Sequence, residues 1–170
     1  MISFMVLGAP RSSTTWAANW LTTDTTYCEH DPLRKFTLDQ VNAQPTHGKI
    51  YGVACTAMAM FPAWVNKHPA PKLILHRDVA EINASLFKLG LPCLQSNWSE
   101  LLDSITGWHV HYKDIFDPTQ AKKIYEYLLE IKFDAHRHAL LKDFFVEPDI
   151  AHIEQDPKVI REMFAKYGGG

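Results

Sequence analysis

The stretch Gly8–Leu21, "GAPRSSTTWAANWL", decides how the rest of the chain is read. It follows an almost continuously apolar run, Ile2–Leu7, and leads into a segment with helical character, Thr14–Leu21. An apolar run, a short turn and a helix form the layout of a buried parallel strand feeding a crossover helix. Such a turn aims unpaired backbone N–H groups and the positive end of the helix dipole at one point, which suits an anion. Arg11 adds a cation, and Ser12, Ser13, Thr14 and Thr15 add four hydroxyls. A nucleoside-triphosphate loop needs G-x-x-x-x-G-K-[ST]. Counted from Gly8, the second glycine falls on Ser13 and the lysine on Thr14. The lysine that would reach the terminal phosphates is missing, so ordinary ATPase or GTPase chemistry is not expected.

Working outward, the chain alternates short apolar runs with longer helical stretches. The runs Ile2–Leu7, Ile50–Ala54, Lys72–His76 and Trp108–Tyr112 read as strands. Helices are predicted over Thr14–Leu21, Met58–Lys67, Val79–Leu89, Trp98–Ile105, Pro118–Leu129, Ala135–Phe145 and Pro157–Lys166. Asp78 precedes one of them with Glu81 three residues on, a capping-box pattern, and Gly90 stands ready to close it. Asp117–Pro118 and Asp156–Pro157 are N-cap and first-turn pairs. This alternation predicts an α/β fold of the three-layer, P-loop NTPase-like kind, with a central parallel sheet flanked by helices. The 170 residues suffice for one domain, expected over residues 1–167, with residues 168–170 a flexible glycine tail.

Composition narrows the function classes. The net charge is -2 and the pI about 6.5, which argues against a general nucleic-acid binder. Three widely spaced cysteines, Cys28, Cys55 and Cys93, do not form a disulfide framework. No apolar stretch reaches membrane-spanning length, and residues 1–10 lack the features of a signal peptide. The expectation is a cytoplasmic protein with no membrane and no nucleic-acid partner.

The stretch Pro10–Trp16, "PRSSTTW", resembles the P-[KR]-S-G-T-T-[WL] loop of the sulfotransferases that use 3′-phosphoadenosine 5′-phosphosulfate (PAPS). A second motif lies further on. In "KLILHRDVAEINASLFKLG", Arg77 ends a strand and Ser85 follows eight residues later, similar to the family's I-x-x-x-R-[DN]-P-x-x-x-x-x-S. The resemblance extends over about residues 2–130 and is that of a small bacterial- or phage-type member. It implies that Arg11, Ser12, Ser13, Thr14 and Thr15 hold the 5′-phosphosulfate. Trp16 would stack on adenine, and Arg77 and Ser85 would bind the 3′-phosphate. Arg11 would also assist the leaving group. Ser13 departs from the family's glycine, and Val79 from its proline. The basic R-K-G loop of the cytosolic members is absent.

Transfer to an acceptor hydroxyl or amine needs a base. The family's tyrosylprotein and carbohydrate members place a glutamate after the first helix. In "TTYCEHDPLRKF", Glu29 is the preferred match and His30 the substitute. The other histidines show no zinc-type spacing, so no metal is expected. The expected partners are the nucleotide donor and an acceptor of unknown identity. Two other readings stay open: a nucleotide-kinase-like P-loop enzyme, and a non-catalytic nucleotide- or protein-binding module on the same fold.

Overall fold

The computed structural model describes residues 1–94, 97–143 and 156–167. Five parallel strands, β1 (Phe4–Gly8), β2 (Thr26–His30), β3 (Ile50–Ala54), β4 (Lys72–His76) and β5 (Trp108–His111), form one sheet in the order β2-β3-β1-β4-β5. The helices are α1 (Thr14–Leu21), α2 (Leu38–Asn42), α3 (Pro62–Lys67), α4 (Val79–Lys88), α5 (Trp98–Asp103), α6 (Pro118–Leu129), α7 (Ala135–Lys142) and α8 (Pro157–Tyr167). The expected three-layer α/β architecture is what the chain adopts.

β1 is the central strand, and all five of its residues are buried. Its side chains alternate between two cores. Phe4 and Val6 pack with Leu73 and Leu75 of β4 and with residues of α1 and α6 on one face. Met5 and Leu7 pack with Ile74 and with α2, α3, α4, α5 and α8 on the other. One close contact sets a side-chain limit: a Cβ on Gly52 of β3 would lie 2.2 Å from the Phe4 ring, so only glycine fits beside it.

β1 and β4 are neighbours, yet α1 leaves β1 towards one face and α4 leaves β4 towards the other. This is a topological switch point, where open α/β sheets hold their ligands at the carboxyl ends of the strands. The loop at residues 9–13 and the residue Arg77 both lie at this edge.

Several local expectations hold. Asp117 accepts from Thr119 N and Gln120 N at 3.0 and 2.9 Å, with Pro118 in the first turn. Gly90, at φ 69°, closes α4 while Leu91 N bonds back to Leu86 O at 3.1 Å. Others need correction. Asp78 caps α4 through Ala80 N and Glu81 N, but the Glu81 side chain turns to Arg77 and leaves the capping box unformed. The helix predicted over Met58–Lys67 is a 3₁₀ turn, Ala57–Met60, followed by α3. The break falls at Phe61, because proline disfavours helical backbone in the residue before it. The stretch Thr26–His30, absent from the predicted strands, forms β2, an edge strand whose Thr26 and Cys28 are buried while Tyr27 is exposed. The helix predicted near Ala135–Phe145 is described as far as Lys142; its last two residues and the glycine tail lie outside the described residues.

Candidate functional site

The loop after β1 is tightly folded. Gly8 belongs there because a Cβ would stand 3.1 Å from Leu75 O and 3.3 Å from Ser12 Cβ. Arg11 and Ser13 both adopt left-handed backbone, at φ 65° and 67°. Ser13 is the N-cap of α1 but gives it no side-chain hydrogen bond. It stands where the resembling loop has glycine, and its positive φ is the reason glycine suits that position. Between these two residues Ser12 is fully buried, and its Oγ makes no hydrogen bond. A buried hydroxyl without a partner is uncommon and costs stability unless something satisfies it.

The second motif meets this loop directly. Arg11 Nε donates to Ser85 Oγ at 3.0 Å across 74 residues of sequence. Arg77 donates through a terminal guanidinium nitrogen to the Arg11 carbonyl in a short hydrogen bond. Two guanidinium groups thus converge on one loop. Burial, followed by repulsion from Arg77, lowers the Arg11 pKa, which marks a place where negative charge is favoured.

Arg77 is also held from outside the motif. Its Nε lies 3.2 Å from Glu81 Oε2, and its guanidinium sits 4.4 Å from the centre of the Tyr112 ring. Tyr112 donates its hydroxyl to the same Glu81 oxygen at 2.8 Å, and Lys113 Nζ lies 3.4 Å from Oε1. The Tyr112 hydrogen bond, with the two cations, holds the Glu81 carboxyl below the usual carboxylate range. The sequence pointed to a capping box for Glu81 and to the end of a strand for Tyr112. The i,i+4 spacing of Arg77 and Glu81 was the available signal.

Glu29 and His30, the two candidate bases, are neighbours on β2 and so face opposite sides of the sheet. His30 faces α1: its Nε2 lies 3.0 Å from Thr15 Oγ1, 3.4 Å from Thr14 Oγ1 and 3.3 Å from Asp31 Oδ2. Glu29 accepts a 2.6 Å hydrogen bond from the Tyr51 hydroxyl, whose ring packs in the core opposite α1. Burial and this bond raise the Tyr51 pKa.

Trp16 sits in the core of the α1 side, 6% exposed. Its ring packs against Trp20, Phe116 and His138, with centroids 5.4, 4.6 and 5.7 Å away, and its Nε1 donates to Leu141 O at 2.8 Å. In this arrangement Trp16 is almost wholly covered by protein atoms and packs within the core. The loop therefore gathers Arg11, Ser12, Ser13, Thr14, Thr15, His30, Arg77 and Ser85, while Glu29 and Trp16 point elsewhere.

No family model, no curated protein and no solved structure matches the chain. Fold and loop together define a parallel α/β protein of a kind compatible with nucleotide binding and with P-loop-type enzymes. Among the described residues, no helix is long and apolar enough to cross a membrane.

Proposed function

We propose that the chain is a sulfotransferase that moves a sulfuryl group from PAPS to an acceptor hydroxyl or amine. The observation that carries this reading is the meeting of its two motifs: Arg11 bonded to Ser85, and Arg77 bonded to the Arg11 carbonyl, at the β1/β4 switch point. A ligand with two separated phosphate groups suits a loop served by two arginines from different strands. The unpaired Ser12 Oγ and the mutually repelling guanidinium groups are what such an anion would satisfy. One feature opposes it: a phosphate at Arg77 must compete with the Glu81 carboxylate.

The donor supplies a sulfuryl group on a phosphate–sulfate anhydride, and the chain's residues do the rest. Arg11 and the first N–H groups of α1 stabilise the negative charge that grows on the departing phosphate oxygen. His30 Nε2 takes the proton of the acceptor as the new bond to sulfur forms. Its contacts with Thr15 and Asp31 support this choice over Glu29, which is engaged by Tyr51 on the opposite face. Asp31 is close enough to share the charge of the imidazolium that results.

The test is a thermal-shift titration with adenosine 3′,5′-diphosphate, ATP with magnesium, and AMP, on the wild type and on Arg77→Ala. At a hundred times its Kd a ligand adds about 2.7 kcal/mol of stability. The diphosphate should stabilise the wild type and lose at least about tenfold in affinity on Arg77→Ala. Stabilisation by ATP alone would establish a kinase-like enzyme instead. A response to none of the three would establish a module that does not use nucleotide. Radiolabelled sulfate transfer to a panel of sugars, phenols and amines then identifies the acceptor.

A further inference from the structure

Next to Arg77 in sequence, at the end of β4, three side chains from different elements meet. His76 ends β4, His109 lies on β5, and Asp103 ends α5. One ligand atom from each lies within 4.8 Å of the others. His76 Nε2 and His109 Nδ1 are 2.8 Å apart, and Asp103 Oδ1 is 3.9 Å from His76 Nε2. The His109 ring is fixed from behind: its Nε2 lies 2.8 Å from the Ile105 carbonyl oxygen. A carbonyl only accepts, so Nε2 carries the proton and Nδ1 presents its lone pair towards His76.

We propose that His76, Asp103 and His109 bind a divalent transition-metal ion, with zinc the natural occupant. Two imidazoles and one carboxylate are a borderline-soft donor set that suits zinc over magnesium or calcium. A backbone carbonyl that fixes the second ring nitrogen is the support that metal-bound histidines receive. Tetrahedral zinc, with Zn–N near 2.1 Å, spaces two nitrogens by about 3.4 Å, so the two rings need open by only about 0.6 Å. His76 must also move its proton from Nε2 to Nδ1, a tautomer change with no net proton release. Water completes the fourth position. Asp103 is exposed, so the ion has an entry path from solvent. Because the three ligands come from β4, α5 and β5, a bound ion ties α5 to the sheet edge beside Arg77. No sequence spacing announces the site: its residues are 27 and 6 apart. The proposal is independent of the sulfotransferase reading.

The experiment is a calorimetric titration of the full chain with Zn(II) in a Cys93→Ser background, which removes the exposed thiol. A parallel titration with Co(II) follows its visible d–d absorption. The expected result is one ion per chain, with affinity reduced at least about tenfold by His109→Ala and by Asp103→Ala. Both positions are exposed, so neither change threatens folding, and circular dichroism checks it. The exposed His136→Ala serves as a control and should leave binding unchanged. The absence of stoichiometric binding would overturn the proposal, as would binding that survives the His76→Ala/His109→Ala double substitution.

Discussion

Arg11 Nε donates to Ser85 Oγ at 3.0 Å, joining the loop after β1 to the interior of α4. This bond aims the Arg11 side chain at the switch point. Ser85→Ala removes the acceptor and frees the guanidinium to swing. We expect weaker adenosine 3′,5′-diphosphate binding by about tenfold, with a stability loss of only about 1 kcal/mol. Urea denaturation and calorimetry separate the two effects. Equal affinity for wild type and variant would mean that Arg11 is positioned by its backbone alone.

Ser13 offers the opposite kind of change. Its left-handed backbone costs an L-residue about 1–2 kcal/mol, and its side chain gives α1 no cap bond in return. Ser13→Gly relieves that strain but adds disorder to the unfolded chain. The net gain should be about 0.5 kcal/mol. Ser13→Val should lose more than about 1 kcal/mol, because a β-branched side chain tolerates positive φ worst. A glycine variant less stable than the wild type would show that the serine hydroxyl has a partner worth more than the strain.

Glu81 links the site to pH. Its folded-state pKa is depressed, so its contribution to stability is present above the ordinary carboxyl value, about 4.3. That contribution is lost as pH falls from there through the lower folded value. The difference in melting temperature between wild type and Glu81→Gln should therefore be visible at pH 7 and disappear towards pH 3. At pH 7 the same variant should bind the diphosphate more tightly, because Arg77 no longer has a competing carboxylate. A difference in melting temperature that stays constant over this range would mean that the ion pair does not matter.

His30 and Glu29 make a paired test of base assignment. His30→Asn should lower the sulfuryl-transfer rate by about 10²–10⁴-fold while leaving donor affinity within a few-fold. Glu29→Gln should leave the rate nearly unchanged. The reverse ranking would move the base to the other face of β2.

Trp16 is expected to act through packing. Trp16→Ala should cost about 3–5 kcal/mol, the range for emptying a large buried aromatic site. Trp16→Phe should cost less and leave diphosphate affinity unchanged. A loss of affinity in Trp16→Phe without a loss of stability would return the residue to a ligand-stacking role.

The parts of the fold legible in the sequence were those with one dominant signal. β1 and β4 are largely buried on both faces and have apolar centres, and the Asp-Pro helix starts carry their own chemistry. β2 was not legible, because an edge strand buries only alternate residues. Its "TYCEH" also contains two polar residues that find partners only in three dimensions, Glu29 at Tyr51 and His30 at Thr15. The same limit applied within the site. Arg11, Arg77 and Ser85 were found through motif spacing, whereas the hold of Glu81 and Tyr112 on Arg77 depends on how β4, α4 and the segment after β5 pack together. The interior position of Trp16 likewise depends on Phe116 and on His138 and Leu141 of α7, a hundred residues away or more.

The pairing of β1 with β4 has a further consequence for when the loop and its partners come together. Met5–Gly8 lie in register with Lys72–Leu75, and β4 is the fourth strand in sequence. A growing chain that has emerged only through α3 carries every residue of the loop and none of the partners that aim it. Contacts of such long sequence separation form late, after the entropy of closing the intervening segment has been overcome. The nucleotide affinity proposed above would therefore belong to the completed sheet, and its appearance during refolding would time the docking of β4.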